Sequence, residues 1–243
     1  WHPIVVVGEG PDVDVSYDLN VVCEDCSTIY LSGSRPQKKK RAHFQYKEPV
    51  GPFLYAGNFG SRERDGVMFV GDHWPEKRQA QAVAIAKKTT ALYEKWTKSK
   101  LAKLPTFVEF EATSPKRSWG FAVLPSVAFT RYFLEHSYRK PIDGLPFANI
   151  ADQDARYAMF INHEIGHLYF GGKIKSEGPL FWFFLESTAE YLALRSMRYQ
   201  YDQSVFDFFV NLRLNGLVHS PTLEEIPPLL SAKERDDVGS RMR

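Results

Sequence analysis

Cysteine is nearly absent: Cys23 and Cys26, in "VCEDCST", are the only two in 243 residues. A four-thiolate zinc site needs a second pair, so this CxxC does not build one. A thioredoxin-type motif opens a helix, whereas this one lies among strand formers, and the sequence predicts two ordinary thiols rather than a redox couple. An excess of one charge is also lacking. Lys and Arg number 31 against 29 Asp and Glu, a formal net charge of +2, so nothing points to nucleic acid or an anionic membrane as partner. No apolar run approaches the ~20 residues of a transmembrane helix. The N-terminus "WHPIVVVG" has neither an initiator Met nor the basic-then-apolar layout of a secretion signal. The chain therefore reads as an excised segment, and the sequence leaves its compartment unknown. No repeat or low-complexity tract is present.

What is there suits a folded chain: 44% hydrophobic and 25% charged residues, enough for one large domain or two modest ones. Residues 1–70 read as β. "IVVV", "VSYDLNVVC", "STIYLSG", "AHFQYKE", "FLYAG" and "GVMFVG" are short β-branched or aromatic runs divided by Gly, Pro, Asp and charged turns. The basic run "RPQKKKR" at 35–41 reads as a solvated hairpin tip. The pattern changes after "GDHWPEK". Pro75 suits the first turn of a helix. Ala80, Val83, Ala84, Lys87, Leu92 and Trp96 then follow helical spacing to about Lys98. "PTFVEFEA" and "GFAVLPSVAF" read as two strands joined by the loop "TSPKRSW", and helices are expected over about 152–170, 180–201 and 204–217. Strands first and helices later predicts an α+β chain, with a β-unit over 1–70 and a catalytic-sized unit over 71–243.

"INHEIGHLYF", residues 161–170, carries the chemistry. Positions i and i+4 of a helix lie one turn apart on one face, so His163 and His167 can aim two imidazoles at one point, with Glu164 beside them. This HExxH arrangement binds zinc through its two histidines and uses the glutamate as base toward a water. The bland alternative is a pair of core histidines satisfied by backbone carbonyls. A catalytic zinc takes three protein ligands and leaves a fourth position open. A metzincin would need Gly at 170 and His at 173, and Phe170 and Lys173 exclude that class. The remaining solution is a glutamate on the next helix. "FWFFLESTAEYLAL" offers Glu186 in a stretch where an unpaired carboxylate would be costly. Glu190, one turn on, is spaced to accept the second N–H of a zinc-bound histidine, or else is an exposed helix carboxylate.

His167 and Glu186 are separated by 18 residues. That HExxH-x18-E spacing resembles the aminopeptidase N family of gluzincin zinc metallopeptidases. "HEIGHLYFGGKI" is similar to its HExxHxWFG segment and "FWFFLESTAEYLAL" to its LWLNEGFAxY segment. "WHP", "YDLNVV" and "GPFLYAGNFG" resemble the last part of its saddle-like β-domain. The resemblance implies a partial antiparallel β-domain followed by a thermolysin-like, mainly helical zinc-peptidase domain with a small sheet. It also implies Zn²⁺ as cofactor, a peptide substrate, His163, His167 and Glu186 as ligands, and Glu164 as base. The front of the β-domain and the helical domains usual after the catalytic one would then lie outside this segment.

Two departures from that family stand out. Its Gly-Ala-Met-Glu-Asn, whose Glu holds the substrate's α-amine, is replaced here by "SPKRS" at 114–118, which puts Arg117 in the place of that Glu. A guanidinium repels an ammonium and favours carboxylate; alternatively, Arg117 points into solvent. The family's catalytic Tyr, expected roughly sixty residues beyond the third ligand, would fall past Arg243: no Tyr follows Tyr201 in this segment, and the closing "DDVGSRMR" resembles the run-up to the family's Tyr segment. Tyr199 and Tyr201 share the ligand's helix, and His219 is more simply structural. The expected activity is thus a zinc peptidase with an altered N-terminus-recognition loop. The alternatives are a zinc-binding but non-catalytic peptide- or protein-binding module, and a hydrolase of a non-peptide bond.

Overall fold

The structure, a computed structural model, describes residues 15–50, 53–111, 120–131, 133–134, 150–175 and 183–218. It is mixed α+β, as the order of patterns predicts. Strand β1 (Val15–Val22) pairs antiparallel with β3 (Arg41–Val50), and β2 (Thr28–Leu31) pairs antiparallel with β4 (Leu54–Gly57). The two ribbons share a small core of Ile29, Leu31, Ala42 and Phe44. Because β2 and β3 belong to different ribbons, the exposed Lys38, Lys39 and Lys40 lie on the connection between ribbons and not at a hairpin tip.

The cysteines correct the sequence reading. Cys23 and Cys26 form a disulfide, with Cα atoms 5.4 Å apart. The turn through Glu24 and Asp25, closed by the Cys26 N–H donating to the Cys23 carbonyl at 3.3 Å, brings the thiols together without a helix.

A five-stranded sheet forms the centre, in the order β5-β6-β7-β9-β8. Its strands are β5 (Ser61–Arg64), β6 (Val67–Val70), β7 (Thr106–Phe110), β8 (Gly120–Val123) and β9 (Ser126–Thr130). β6, β7 and β9 run parallel, and β5 and β8 are antiparallel edges. Parallel strands are normally covered on both faces, and so are these. Phe69, Phe107, Val127 and Phe129 face the helices, whereas Val70, Val108 and Ala128 pack with Tyr30 and Phe59 from the β-rich side. The Tyr30 hydroxyl and Ser126 Oγ, 2.6 Å apart, join the two parts. The sheet therefore starts at Ser61, ahead of the change in sequence pattern at 70. β5, "SRER", is an edge strand with a solvated face, which is why it carries no apolar alternation. "GFAVLPSVAF" is a hairpin of two strands and not one strand, because its turn falls at Leu124–Pro125.

Helix α1 (Glu76–Thr97) is the crossover from β6 to β7 that parallel pairing requires. It begins immediately after Pro75 and ends on Lys98 in the left-handed region. Its buried face runs through Gln79, Ala82, Val83, Ala86, Thr89, Thr90 and Tyr93. Ala84 and Lys87 are exposed, contrary to the spacing read from sequence, because polar Gln79, Thr89 and Thr90 hold positions on the true face. Against α1 lie α2 (Ile150–Tyr169) and α3 (Thr188–Gln200). A π-helical turn over Phe183–Ser187 leads into α3, and α4 (Gln203–Val218) packs on α3. Among the described residues no helix is long and apolar enough to cross a membrane.

Candidate metal centre

α2 is buried along Ala155, Ala158, Ile161, Ile165 and Leu168, which orients the opposite stripe toward α3. That stripe carries His163 and His167. Their Nε2 atoms are 3.0 Å apart, with the rings edge to face. Glu186 Oε2 lies 3.3 Å from His163 Nε2 and 3.6 Å from His167 Nε2. Ligands about 2.0–2.1 Å from a tetrahedral zinc are separated by about 3.3 Å. The three observed edges bracket that value, so these residues fit a zinc ion at their centre. The histidine side chains are 19% and 11% exposed and Glu186 is 50% exposed, so the cluster opens on the glutamate side, where a fourth position would be reached.

The approach of the two helices depends on glycine. A Cβ at Gly166 would stand 2.9 Å from Ala189 Cα and 3.2 Å from its carbonyl oxygen. Only hydrogen at Gly166 lets the backbones come this close. Gly171, at φ +107°, turns the chain out of α2, and a Cβ there would meet Leu185 Cδ1 at 2.4 Å, directly before Glu186. Glu186 itself sits in the π-helical turn, a local widening frequent at functional sites.

Electrostatics follow from burial against a dense set of carboxylates. Burial lowers the His163 imidazole, but hydrogen bonds to Glu186 and Glu190 and the charges of Glu164 and Glu190 overcome it and raise it to about 10. Burial and the neighbouring His163 charge push His167 down to about 4. His167 Nδ1 is buried and makes no hydrogen bond of good geometry among the described residues; the Phe170 backbone and the Glu186 and Glu190 charges oppose the downward push on the ring. Glu164 is 5% exposed. Burial pushes it up to about 7, with His163 lowering it and Glu186 raising it. Glu186 and Glu190 resist the upward push of burial and are held below the usual carboxylate range by His163.

Glu190 accepts from His163 Nδ1 at 2.9 Å through Oε2. Its other oxygen, Oε1, accepts from Arg213 Nε on α4. Sequence reasoning missed Gly166 and Arg213. A Gly between the two histidines is a signal in hindsight, but nothing in the spacing distinguishes Arg213 from any exposed arginine.

Arg117, with the loop around it, and His219 lie outside the described residues. Tyr199 packs on Trp96 and the Tyr201 hydroxyl donates to the Asp154 carbonyl, so both are engaged away from the histidines. Glu109, on the strand leading to the "SPKRS" loop, is 2% exposed. Its carboxylate is filled by the His73 N–H at 2.6 Å, His73 Nδ1 at 2.7 Å and Arg131 Nε at 3.0 Å. Glu111 pairs with Arg131 at 2.6 Å. Compared with known proteins, the chain matches no family model and no curated protein.

Proposed function

We propose that this chain is a zinc-dependent peptidase unit with a thermolysin-like arrangement, in which His163, His167 and Glu186 hold the metal and Glu164 is the general base. The observation that carries this reading is the triangle of donor atoms with edges of 3.0, 3.3 and 3.6 Å, flanked by a buried carboxylate and open on one side. When bound there, zinc supplies polarisation of a scissile carbonyl and lowers the pKa of a water toward ~7. Glu164 would take the proton from the attacking water and deliver it to the leaving amine. The burial that raises Glu164 suits a base that must also release its proton as an acid. Glu190 fixes the His163 ring through Nδ1, which leaves Nε2 directed at the centre.

The substrate end is a peptide whose free amine is not the main handle. Glu109 and Glu111 already pair with Arg131, and Glu109 also binds His73, so neither carboxylate is offered to an ammonium without breaking those bonds. Arg117 in the neighbouring loop acts in the same direction. The deciding experiment is cleavage of labelled peptides with free and blocked N-termini, with and without a chelator. Chelator-sensitive cleavage is the expected result. Stoichiometric zinc without cleavage of any peptide would instead favour a binding module.

A further inference from the structure

We propose that Arg213 is a positioning residue for the metal centre, acting through Glu190 on His163. The inference rests on the zinc reading but concerns a side chain that takes no part in it. Three helices contribute one member each: His163 from α2, Glu190 from the first turn of α3 and Arg213 from α4. Glu190 uses its two oxygens separately, Oε2 for His163 Nδ1 and Oε1 for Arg213 Nε. A guanidinium only donates, so Glu190 must accept on Oε1. The carboxylate is then held as an acceptor toward Nδ1–H, and the His163 Nε2 lone pair is left for the metal. A carboxylate tied at one oxygen can still swing about its side-chain torsions; tied at both, it sets the plane of the imidazole and the direction of Nε2.

Magnitude argues against a purely stabilising role. Arg213 is 48% exposed, and a solvent-facing ion pair contributes little to stability. Phe209 already buries α4 against the core, so α4 does not need Arg213 as its anchor. What the arginine changes is the freedom of Glu190, which is 23% exposed and touches a ligand.

The test is zinc affinity of the whole 243-residue chain, measured by competition with a chelating dye, for wild type, Arg213→Ala, Arg213→Gln, Glu190→Ala and the Arg213→Ala/Glu190→Ala pair. Loss of a direct partner of a ligand weakens a metal by about 10–100-fold, so Glu190→Ala belongs in that range and Arg213→Ala below it, at about 3–10-fold. In the Glu190→Ala background, Arg213→Ala should change affinity by less than about twofold, because the relay is already cut. Equal weakening in both backgrounds, or none in wild type, would overturn the proposal. A second readout needs no metal. In metal-free protein with isotope-labelled histidine, the Nδ1–H resonance of His163 should be sharp in wild type and lost to exchange in Arg213→Ala and Arg213→Gln, with helix content unchanged. A resonance that survives both substitutions overturns the relay. A resonance that depends on Arg213 in a protein that binds no zinc supports the relay and overturns the metal reading instead.

Discussion

Gly166 on α2 and Ala189 on α3 bring the two helix backbones into close contact, and a Cβ on Gly166 would fall 2.9 Å from Ala189 Cα. The clustering of Glu186 with His163 and His167 goes with this close approach of α2 and α3. A mid-helix Gly→Ala exchange ordinarily stabilises by about 0.5–1 kcal/mol. Gly166→Ala should reverse that sign, with a net loss of about 1–3 kcal/mol from overpacking against backbone, and should weaken zinc binding as Glu186 is pushed outward. Thermal melting and metal titration check both effects. Because the nearest atoms include backbone, Ala189→Gly should recover only part of the loss.

Glu186 is the most exposed of the three proposed ligands and the only one not on α2. Glu186→Ala should lose most of the bound zinc while the protein stays folded, since no hydrophobic core depends on this side chain. Elemental analysis after dialysis is the measurement, and an unchanged zinc content would remove Glu186 from the ligand set.

On the proposed reading, Glu164 serves the reaction and is not a ligand. Glu164→Gln keeps the shape of the buried side chain, so zinc should remain bound. Peptide turnover should fall by a factor of order 10²–10⁴. Wild-type turnover in this variant would disprove the water-activation mechanism.

For Arg117 the expectation rests on charge. A free ammonium within ~4 Å of a guanidinium meets a repulsion of about 4 kcal/mol at an effective dielectric near 20, and solvent reduces it. N-acetylated peptides should therefore be cleaved at least as well as free ones, and Arg117→Glu should shift the preference toward free N-termini. The ratio of kcat/KM for a matched peptide pair, in wild type and variant, reports it. A strong wild-type preference for the free amine, unchanged in Arg117→Glu, would assign amine recognition to another residue.

Asn162, directly before His163, is fully buried and anchors α2 to its neighbours. Its Oδ1 accepts from Thr89 Oγ1 at 2.5 Å and from Gln200 at 3.4 Å, and its carbonyl accepts from the Tyr93 hydroxyl at 2.9 Å. Asn162→Ala leaves the Thr89 hydroxyl without this acceptor and opens a void, at a cost of about 2–3 kcal/mol in denaturant unfolding. Asn162→Asp keeps both acceptor atoms but buries a charge, so it should be no milder.

The sequence by itself determined the α+β order of elements and brought His163, Glu164 and His167 to one helix, because helical periodicity is local and the i, i+4 relation needs only a helix to form. It also carried Glu186 and Glu190 as candidates, through their spacing. What it could not determine was non-local. The sheet begins at Ser61 because β5 pairs with β6, which in turn pairs with β7 across α1, and a charged edge strand such as β5 has no alternation to announce it. The buried face of α1 differs from the apolar spacing because Gln79 and Thr89 are buried with partners, the Trp74 carbonyl and Asn162 Oδ1, and Thr90 is buried beside Tyr169, whose hydroxyl donates to the Thr90 carbonyl. The disulfide depends on a turn that closes on itself. Only the tertiary structure decided that Glu186 meets the two imidazoles, that Gly166 permits it, and that Arg213 reaches Glu190. Each of these depends on where two helices cross, and crossing is set by packing of side chains distant in the chain, which no local pattern encodes.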